Sequence, residues 1–117
     1  MTSRVAIVDD NVNLLRAMEW LIKDEPYKLY IFHSPIDALF KIEQEDFAVV
    51  VSDLSMPEMD GRYFFKLVTE RHPDIVPIII TANDTYDISK LNIFKTIRKP
   101  WNNFEFIKTI QEAIDYY

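Results

Sequence analysis

The chain has 117 residues, of which 49% are hydrophobic and 27% are charged, and its formal net charge is −6 at pH 7. This length and composition are ordinary for one globular domain over residues 1–117. The sequence has no apolar run of membrane-spanning length and no signal peptide, so we expect the protein in the cytoplasm. The absence of cysteine excludes thiolate metal sites, the single glycine excludes glycine-rich phosphate cradles, and the acidic charge without a basic stripe argues against direct nucleic-acid binding.

Apolar runs alternate with amphipathic segments along the whole chain. The runs predict buried strands at residues 5–8, 28–32, 47–52, 76–80 and 94–97. Apolar residues at helical spacing predict helices at 14–23, 35–42 and 63–71, and a last helix from residue 102 or 103 that buries Phe106, Ile107, Ile110, Ala113, Ile114 and Tyr117. Between the fourth and fifth strands, residues 85–91 leave room for only a short fourth helix.

Local signals mark where the helices begin. Asn11 or Asn13 is suited to cap the first helix, and Ser34 followed by Pro35 is a start signal for the second. Trp20 lies away from the apolar stripe of the first helix. We therefore expect it either to be exposed as a partner-docking residue or to pack against the last helix.

Five strands that alternate with five helices predict a three-layer, doubly wound (βα)5 domain of flavodoxin-like topology, with a shortened fourth helix. The expected parallel sheet has the strand order 2-1-3-4-5, whose topological switch point lies between strands 1 and 3. Ligands of such sheets bind outside the carboxyl ends of the strands near this point. The residues that follow the strands are therefore the candidates for function.

Polar residues follow four of the five predicted strands. They are Asp9 and Asp10 after the first, Asp53 after the third, Thr81 after the fourth and Lys99 after the fifth. The carboxyl ends of parallel strands meet at one edge of the sheet, so we expect these side chains to share one crevice. Taken alone, Asp53 could instead be a helix-capping aspartate in a turn between a strand and a helix.

Three carboxylates at one edge repel each other unless a cation lies between them. Mg²⁺ suits such a site, because it takes oxygen ligands and usually accepts one or two protein carboxylates together with phosphate oxygens. The lysine supplies a positive charge and the threonine a hydroxyl for the same oxygens. A carboxylate nucleophile aided by a metal forms an aspartyl phosphate, so the pattern predicts phosphoryl acceptance by Asp53.

These residues, in this order, give the chain a resemblance to the receiver domains of two-component response regulators. The resemblance covers essentially the whole chain and rests on the segments Asp9-Asp10, Asp53-Leu54-Ser55-Met56-Pro57-Glu58-Met59-Asp60-Gly61, Thr81-Ala82 and Lys99-Pro100. It implies that a histidine kinase or histidine phosphotransfer protein donates a phosphoryl group to Asp53. It also implies a signalling switch whose only chemistry is on itself, coupled to an output domain or downstream protein, with a homodimer as a further possibility.

The resemblance also implies roles for the individual residues of the site. Asp10, Asp53 and the backbone carbonyl of Ser55 are expected to hold Mg²⁺, and Asp9 to act mainly through a metal-bound water. Thr81 and Lys99 are expected to bind phosphoryl oxygens, and the Lys99–Pro100 peptide bond is expected to be cis.

Two features depart from the family pattern. Thr81 and Lys99 are only 18 positions apart (99 − 81), about one helical turn fewer than is usual, and the missing turn must fall in the fourth helix. Thr96 occupies the position three before the lysine, which is usually aromatic in the family. Both departures concern the surface that many receivers use for output.

Three alternative functions remain open. An aspartyl-nucleophile phosphatase would need a second aspartate two residues after Asp53, where this chain has Ser55. A flavin carrier would need a phosphate-binding loop after the first strand, which is not present. The third alternative is a degenerate receiver that acts as an interaction module without phosphorylation.

Overall fold

The computed structural model describes residues 2–82 and 87–117, which contain one five-stranded parallel sheet. The strands lie in the order β2-β1-β3-β4-β5 and are β1 (Arg4–Val8), β2 (Lys28–Phe32), β3 (Val49–Ser52), β4 (Val76–Thr81) and β5 (Lys95–Arg98). The helices of the described residues are α1 (Val12–Leu21), α2 (Pro35–Gln44), α3 (Gly61–Arg71) and α4 (Asn103–Tyr116). The predicted doubly wound α/β architecture and its strand order are confirmed.

Side-chain caps fix the starts of the helices. The Asn11 side chain accepts a hydrogen bond from the backbone of Leu14, Ser34 caps α2 ahead of Pro35, and Asn102 caps α4. Each of these caps satisfies an amide that the helix itself leaves without a partner. Asp60 caps α3 through the Arg62 amide, a role that we did not predict.

Two apolar cores lie on the two faces of the sheet. Helices α1 and α4 cover one face, and their buried residues Leu15, Met18, Phe106, Ile110 and Ala113 pack on β1, β3 and β4. Helices α2 and α3 cover the other face with Ala38, Ile42, Phe64, Phe65 and Val68. None of the helices in the described residues is long and apolar enough to cross a membrane.

Two aromatic side chains, Trp20 on α1 and Tyr117 after α4, are exposed. Trp20 on α1 is 71% exposed, so the expectation that it packs against the last helix is wrong and the expectation of exposure is confirmed. Tyr117 is 57% exposed, so its predicted burial is also wrong. α4 ends at Tyr116, and Tyr117 is its C-cap, so its side chain is not part of the helical face that packs on the sheet.

The described part of the connection between β4 and β5 differs from the predicted short helix. Residues 87–94 contain turns and irregular backbone but no helix, and residues 83–86, which include the first part of the predicted helix, lie outside the described residues. Ile88 and Leu91 still pack against the core on the α2/α3 face. Two apolar anchors in so short a segment provide too little burial to offset the cost of starting a helix.

Gly61 is the only glycine and begins α3 in direct contact with the turn that follows β3. Its amide donates a hydrogen bond to the Leu54 carbonyl at 2.9 Å. A Cβ atom at this position would lie 2.3 Å from the Leu54 Cα and 2.7 Å from the Asp53 carbonyl oxygen. Because these neighbours are backbone atoms, the approach of α3 to the end of β3 requires glycine.

We therefore expect Gly61→Ala to lower the free energy of unfolding by at least about 2 kcal/mol, since the added methyl must displace the backbone. Urea denaturation measures this change. Lys66→Ala, an exposed substitution on the same helix, is the matched control and should change stability by less than about 0.5 kcal/mol. Equal stabilities of the two variants would contradict the close-approach argument.

Candidate functional site

The ends of β1, β3, β4 and β5 bring the predicted residues to one edge of the sheet. Asp9 and Asp10 follow β1, Asp53 follows β3, Thr81 ends β4 and Lys99 follows β5. All neighbouring strands are parallel, so these four ends point in the same direction. The sequence pattern thus located the edge correctly.

Lys99 joins two of the carboxylates directly. Its Nζ donates a hydrogen bond to Asp9 Oδ2 at 2.8 Å and to Asp53 Oδ2 at 2.7 Å. Both distances are those of charge-assisted hydrogen bonds. A single ammonium group therefore holds the carboxylates of two different strand ends beside each other.

The second oxygen of each carboxylate is also held. Asp9 Oδ1 accepts the Asn11 amide at 2.9 Å, and Asp53 Oδ1 accepts the Ser55 amide at 3.0 Å. Asp53 therefore orients the turn that follows β3 and does not cap α3, which is the role of Asp60, so the helix-cap alternative for Asp53 is wrong. The backbone contact of Asn11 was not predicted, although an aspartate two residues before it is a known turn signal.

The ion pairs are largely buried. Asp9 is 1% exposed, Asp53 is 8% exposed, and the Lys99 side chain is 17% exposed. Burial by itself lowers the pKa of Lys99, but the hydrogen bonds and the charges of Asp53 and Asp9 outweigh it, so its pKa is raised above the usual 10.5. Lys99 is thus a stable cation at neutral pH.

The remaining predicted residues lie around this pair of contacts. Thr81 is buried, and its carbonyl accepts the Lys99 amide at 2.9 Å, which fixes the two strand ends side by side. Asp10 is exposed next to Asp9. The Lys99–Pro100 peptide bond is cis, as the resemblance implied.

The donor set can be compared with the needs of Mg²⁺. Across residues 2–82 and 87–117, no group of three or more histidine or acidic side chains lies close enough to hold a metal ion. Asp9 and Asp53 nevertheless share the Lys99 ammonium group, which shows that this edge holds a positive charge between carboxylates. Asp53 and the exposed Asp10 supply two carboxylates, and one or two are the number that Mg²⁺ usually accepts from a protein. The residues present fit a magnesium site that is completed by backbone oxygens and water.

Replacing Lys99 by methionine tests the electrostatic role of the ammonium group. Lys99→Met leaves Asp9 buried without a cation, so we expect a loss of about 3 kcal/mol in the free energy of unfolding at pH 7. Urea denaturation measures the loss, and Lys95→Met, on the exposed side of β5, is the control and should cost less than about 0.5 kcal/mol.

The pH dependence gives a second readout of the same variant. Because the pKa of Lys99 is raised in the folded state, its stabilisation is fully present below pH 10.5 and is lost as the pH rises through the folded-state value. The stability difference between wild type and Lys99→Met should therefore shrink above pH 10.5. A difference that stays constant there would contradict the ion-pair interpretation.

Comparisons with known proteins identify the family of the chain. The model of the response regulator receiver domain family matches residues 5–111. The DNA-binding transcriptional regulator NtrC of Proteus hauseri is 30% identical over 117 residues, which cover 97% of this chain and 25% of that protein. The transcriptional regulatory protein FlgR of Helicobacter pylori is 32% identical over 103 residues, which cover 84% of this chain and 26% of that protein.

Among solved structures, the beryllofluoride-activated NtrC4 receiver domain dimer is 30% identical and superimposes with a TM-score of 0.89, covering 97% of this chain and 98% of that one. The chain spans about a quarter of the length of the curated relatives it matches. The family match, the fold and the order of the site residues lead to one conclusion: the chain belongs to the response regulator receiver domain family of two-component systems.

Proposed function

We propose that residues 1–117 act as one receiver domain that accepts a phosphoryl group on Asp53 and then changes conformation to signal. The donor is a histidine kinase or a histidine phosphotransfer protein in the cytoplasm, and the reaction depends on Mg²⁺. The observation that carries the proposal is the Asp53 carboxylate at the end of β3, with Lys99 Nζ 2.7 Å from its Oδ2. Receiver domains are signalling domains rather than typical catalysts, so the only chemistry proposed is on the domain itself.

In the proposed reaction, the phosphorus–nitrogen bond of the donor phosphohistidine breaks as a bond forms between phosphorus and an Asp53 carboxylate oxygen. The histidine leaves and takes up a proton. The Ser55 amide holds the Asp53 carboxylate in a fixed direction before the reaction, which lowers the entropic cost of reaching the reactive geometry. Lys99 is already in contact with this carboxylate and provides positive charge where the phosphoryl oxygens arrive.

The other residues of the edge have supporting roles in this proposal. The Thr81 hydroxyl and the Lys99 ammonium would bind phosphoryl oxygens. Asp10, Asp53 and the Ser55 carbonyl would hold Mg²⁺, with Asp9 acting through water, and the metal when bound would neutralise charge on the phosphoryl group. The degenerate receiver is the less favoured alternative, because each polar residue that the chemistry needs is present at the strand ends.

The output of the protein is part of the proposal as well. Because curated relatives are about four times as long as the chain, an output domain or a separate downstream protein could receive the signal. The NtrC4 receiver is a dimer in its activated form, which supports a homodimer as one possible signalling state here. No direct contact with nucleic acid is proposed for this acidic domain.

The principal test is the substitution Asp53→Asn, which removes the nucleophile. Asp53 follows β3 at the carboxyl edge of the sheet and is not part of either apolar core, so the fold should be kept. We expect phosphoprotein formation with a small acyl phosphate and Mg²⁺ to fall below detection, while the circular dichroism spectrum stays that of the folded domain. A phosphate-affinity gel measures the product. Asp74→Asn, an exposed aspartate in the connection between α3 and β4, should be phosphorylated like the wild type. Full phosphorylation of Asp53→Asn would refute the assignment.

A second test separates the two aspartates that follow β1. Both oxygens of Asp9 already accept hydrogen bonds, from Asn11 and from Lys99, whereas Asp10 is exposed. The resemblance makes Asp10 the direct ligand, and Asp10 is exposed whereas Asp9 is only 1% exposed, so we expect Asp10→Asn to weaken Mg²⁺ binding more than Asp9→Asn does. Magnesium titrations of the two variants measure this, and a greater loss in Asp9→Asn would show that the direct ligand has been assigned to the wrong residue.

A third test concerns partner docking through Trp20. The ring is 71% exposed on α1 and carries Lys23 Nζ at 4.0 Å from its centroid, so it is available as an aromatic anchor. We expect Trp20→Ala to slow phosphoryl transfer from a histidine phosphotransfer protein by about tenfold but not from a small acyl phosphate, since each 1.4 kcal/mol of lost contact is tenfold.

Phe40→Ala is the matched control for docking. Phe40 is 67% exposed on α2, which lies on the opposite face of the sheet, and its removal should leave both transfer rates unchanged. If Trp20→Ala affects the two donors equally, or if Phe40→Ala has the same effect as Trp20→Ala, the docking role is wrong.

A further inference from the structure

Ser52 is a fully buried polar residue directly before the proposed phosphoacceptor. It is the last residue of β3, is 0% exposed, and follows three valines in the strand. Its backbone is aligned with Val8 of β1 and Ile79 of β4. A hydroxyl in such a position costs free energy unless it makes a hydrogen bond.

The hydroxyl makes this bond to the phosphoacceptor's own backbone. Ser52 Oγ donates to the Asp53 carbonyl at 2.9 Å and also lies 3.7 Å from Met56 Sδ. The same carbonyl faces the start of α3, where a Cβ on Gly61 would lie 2.7 Å from it. The Asp53 carbonyl therefore accepts a hydrogen bond from the Ser52 hydroxyl and lies close to the first residue of α3, Gly61.

The position of this carbonyl controls the turn that orients the Asp53 side chain. Rotation of the Asp53–Leu54 peptide would move Leu54 and Ser55 together, because they follow it directly in the chain. The Ser55 amide is the group that holds Asp53 Oδ1 at 3.0 Å. Two hydrogen bonds thus connect Ser52 with the carboxylate: Ser52 Oγ donates to the Asp53 carbonyl, and the Ser55 amide donates to Asp53 Oδ1.

We propose that Ser52 is a positioning residue for phosphoryl acceptance by Asp53, and this inference rests on the proposed function. Its hydroxyl fixes the direction of the 53–55 turn, and the turn fixes the direction of the carboxylate and of the Ser55 carbonyl. Ser52 does not touch the phosphoryl group. Groups that orient a reactive residue in this way typically contribute about tenfold to a hundredfold to activity.

The experiment compares Ser52→Ala with Ser34→Ala in phosphorylation by acetyl phosphate at saturating Mg²⁺. Ser34 is the other buried serine of the described residues, and it has no role at the site. Because it caps α2, Ser34→Ala also lowers the stability of the fold and therefore controls for destabilisation alone. Varying the donor concentration separates the maximal rate from the half-saturating concentration. We expect Ser52→Ala to lower the maximal rate at least about tenfold with little change in half-saturation, and Ser34→Ala to change neither.

A spectroscopic readout tests the physical cause. Amide hydrogen exchange at Ser55 should become faster in Ser52→Ala than in Ser34→Ala, because the turn that directs this amide to Asp53 loses its tether. Ser52→Cys, which keeps the volume but donates weakly, should give an intermediate rate and covers the case in which Ser52→Ala does not fold.

The results of these experiments distinguish a failure of the Ser52 inference from a failure of the proposed function. A Ser52→Ala variant with the wild-type maximal rate and unchanged Ser55 exchange would overturn the inference. Wild-type protein that takes no phosphoryl group would instead refute the proposed function and with it the catalytic meaning of Ser52, while the Ser55 exchange would still show whether the hydroxyl holds the turn. Slower phosphorylation with faster Ser55 exchange, in Ser52→Ala alone, would support the inference.

Discussion

The structure of the site depends on one ammonium group that contacts two carboxylates. Lys99 follows β5, whereas its partners Asp53 and Asp9 follow β3 and β1, so the lysine must reach past the end of β4. Thr81 stands at that end, and its carbonyl accepts the Lys99 amide at 2.9 Å. Without a cation at this point, two largely buried carboxylates would have no positive charge beside them, at a cost of about 3 kcal/mol.

The rest of the fold keeps this contact in register. Helices α1 and α4 pack on one face of the sheet, and α2 and α3 pack on the other. Because both interfaces are close-packed, the strand ends have little freedom to shift. At β3 the constraint continues into the backbone, because Ser52 holds the Asp53 carbonyl and Gly61 allows α3 to approach the same turn. The reactive carboxylate is thereby directed by its amide partner and its ion pair together.

Much of this arrangement could be predicted from the sequence, because it follows from local signals. Apolar runs that end in Asp9, Asp53, Thr81 and Lys99 locate the edge, since parallel strands must share their direction. The caps at Ser34 and at Asn11, one of two candidates for its helix, are also local, and the structure confirms them. The last helix begins at Asn103, one of its two predicted starts.

What the sequence did not reveal depends on contacts between distant residues. The helix predicted between β4 and β5 has no helical turn within residues 87–94, since its two apolar anchors reach the core without one. The exposure of Tyr117 reflects its place after the last turn of α4, which helical periodicity alone does not indicate. The proposed role of Ser52 could not be predicted from the sequence, because a serine at the end of an apolar strand can donate its hydroxyl to several different groups. Its partner, the Asp53 carbonyl, is known only from the structure.

The most direct test of the account is a double-mutant cycle between Lys99 and Asp53. The free energy of unfolding is measured for wild type, Lys99→Met, Asp53→Asn and the double variant at pH 7 in the absence of Mg²⁺. If one ammonium group links the strand ends, the two substitutions must be coupled, and we predict an interaction energy of about 1 kcal/mol or more. Strictly additive effects would show that the two side chains do not depend on each other and would contradict the account.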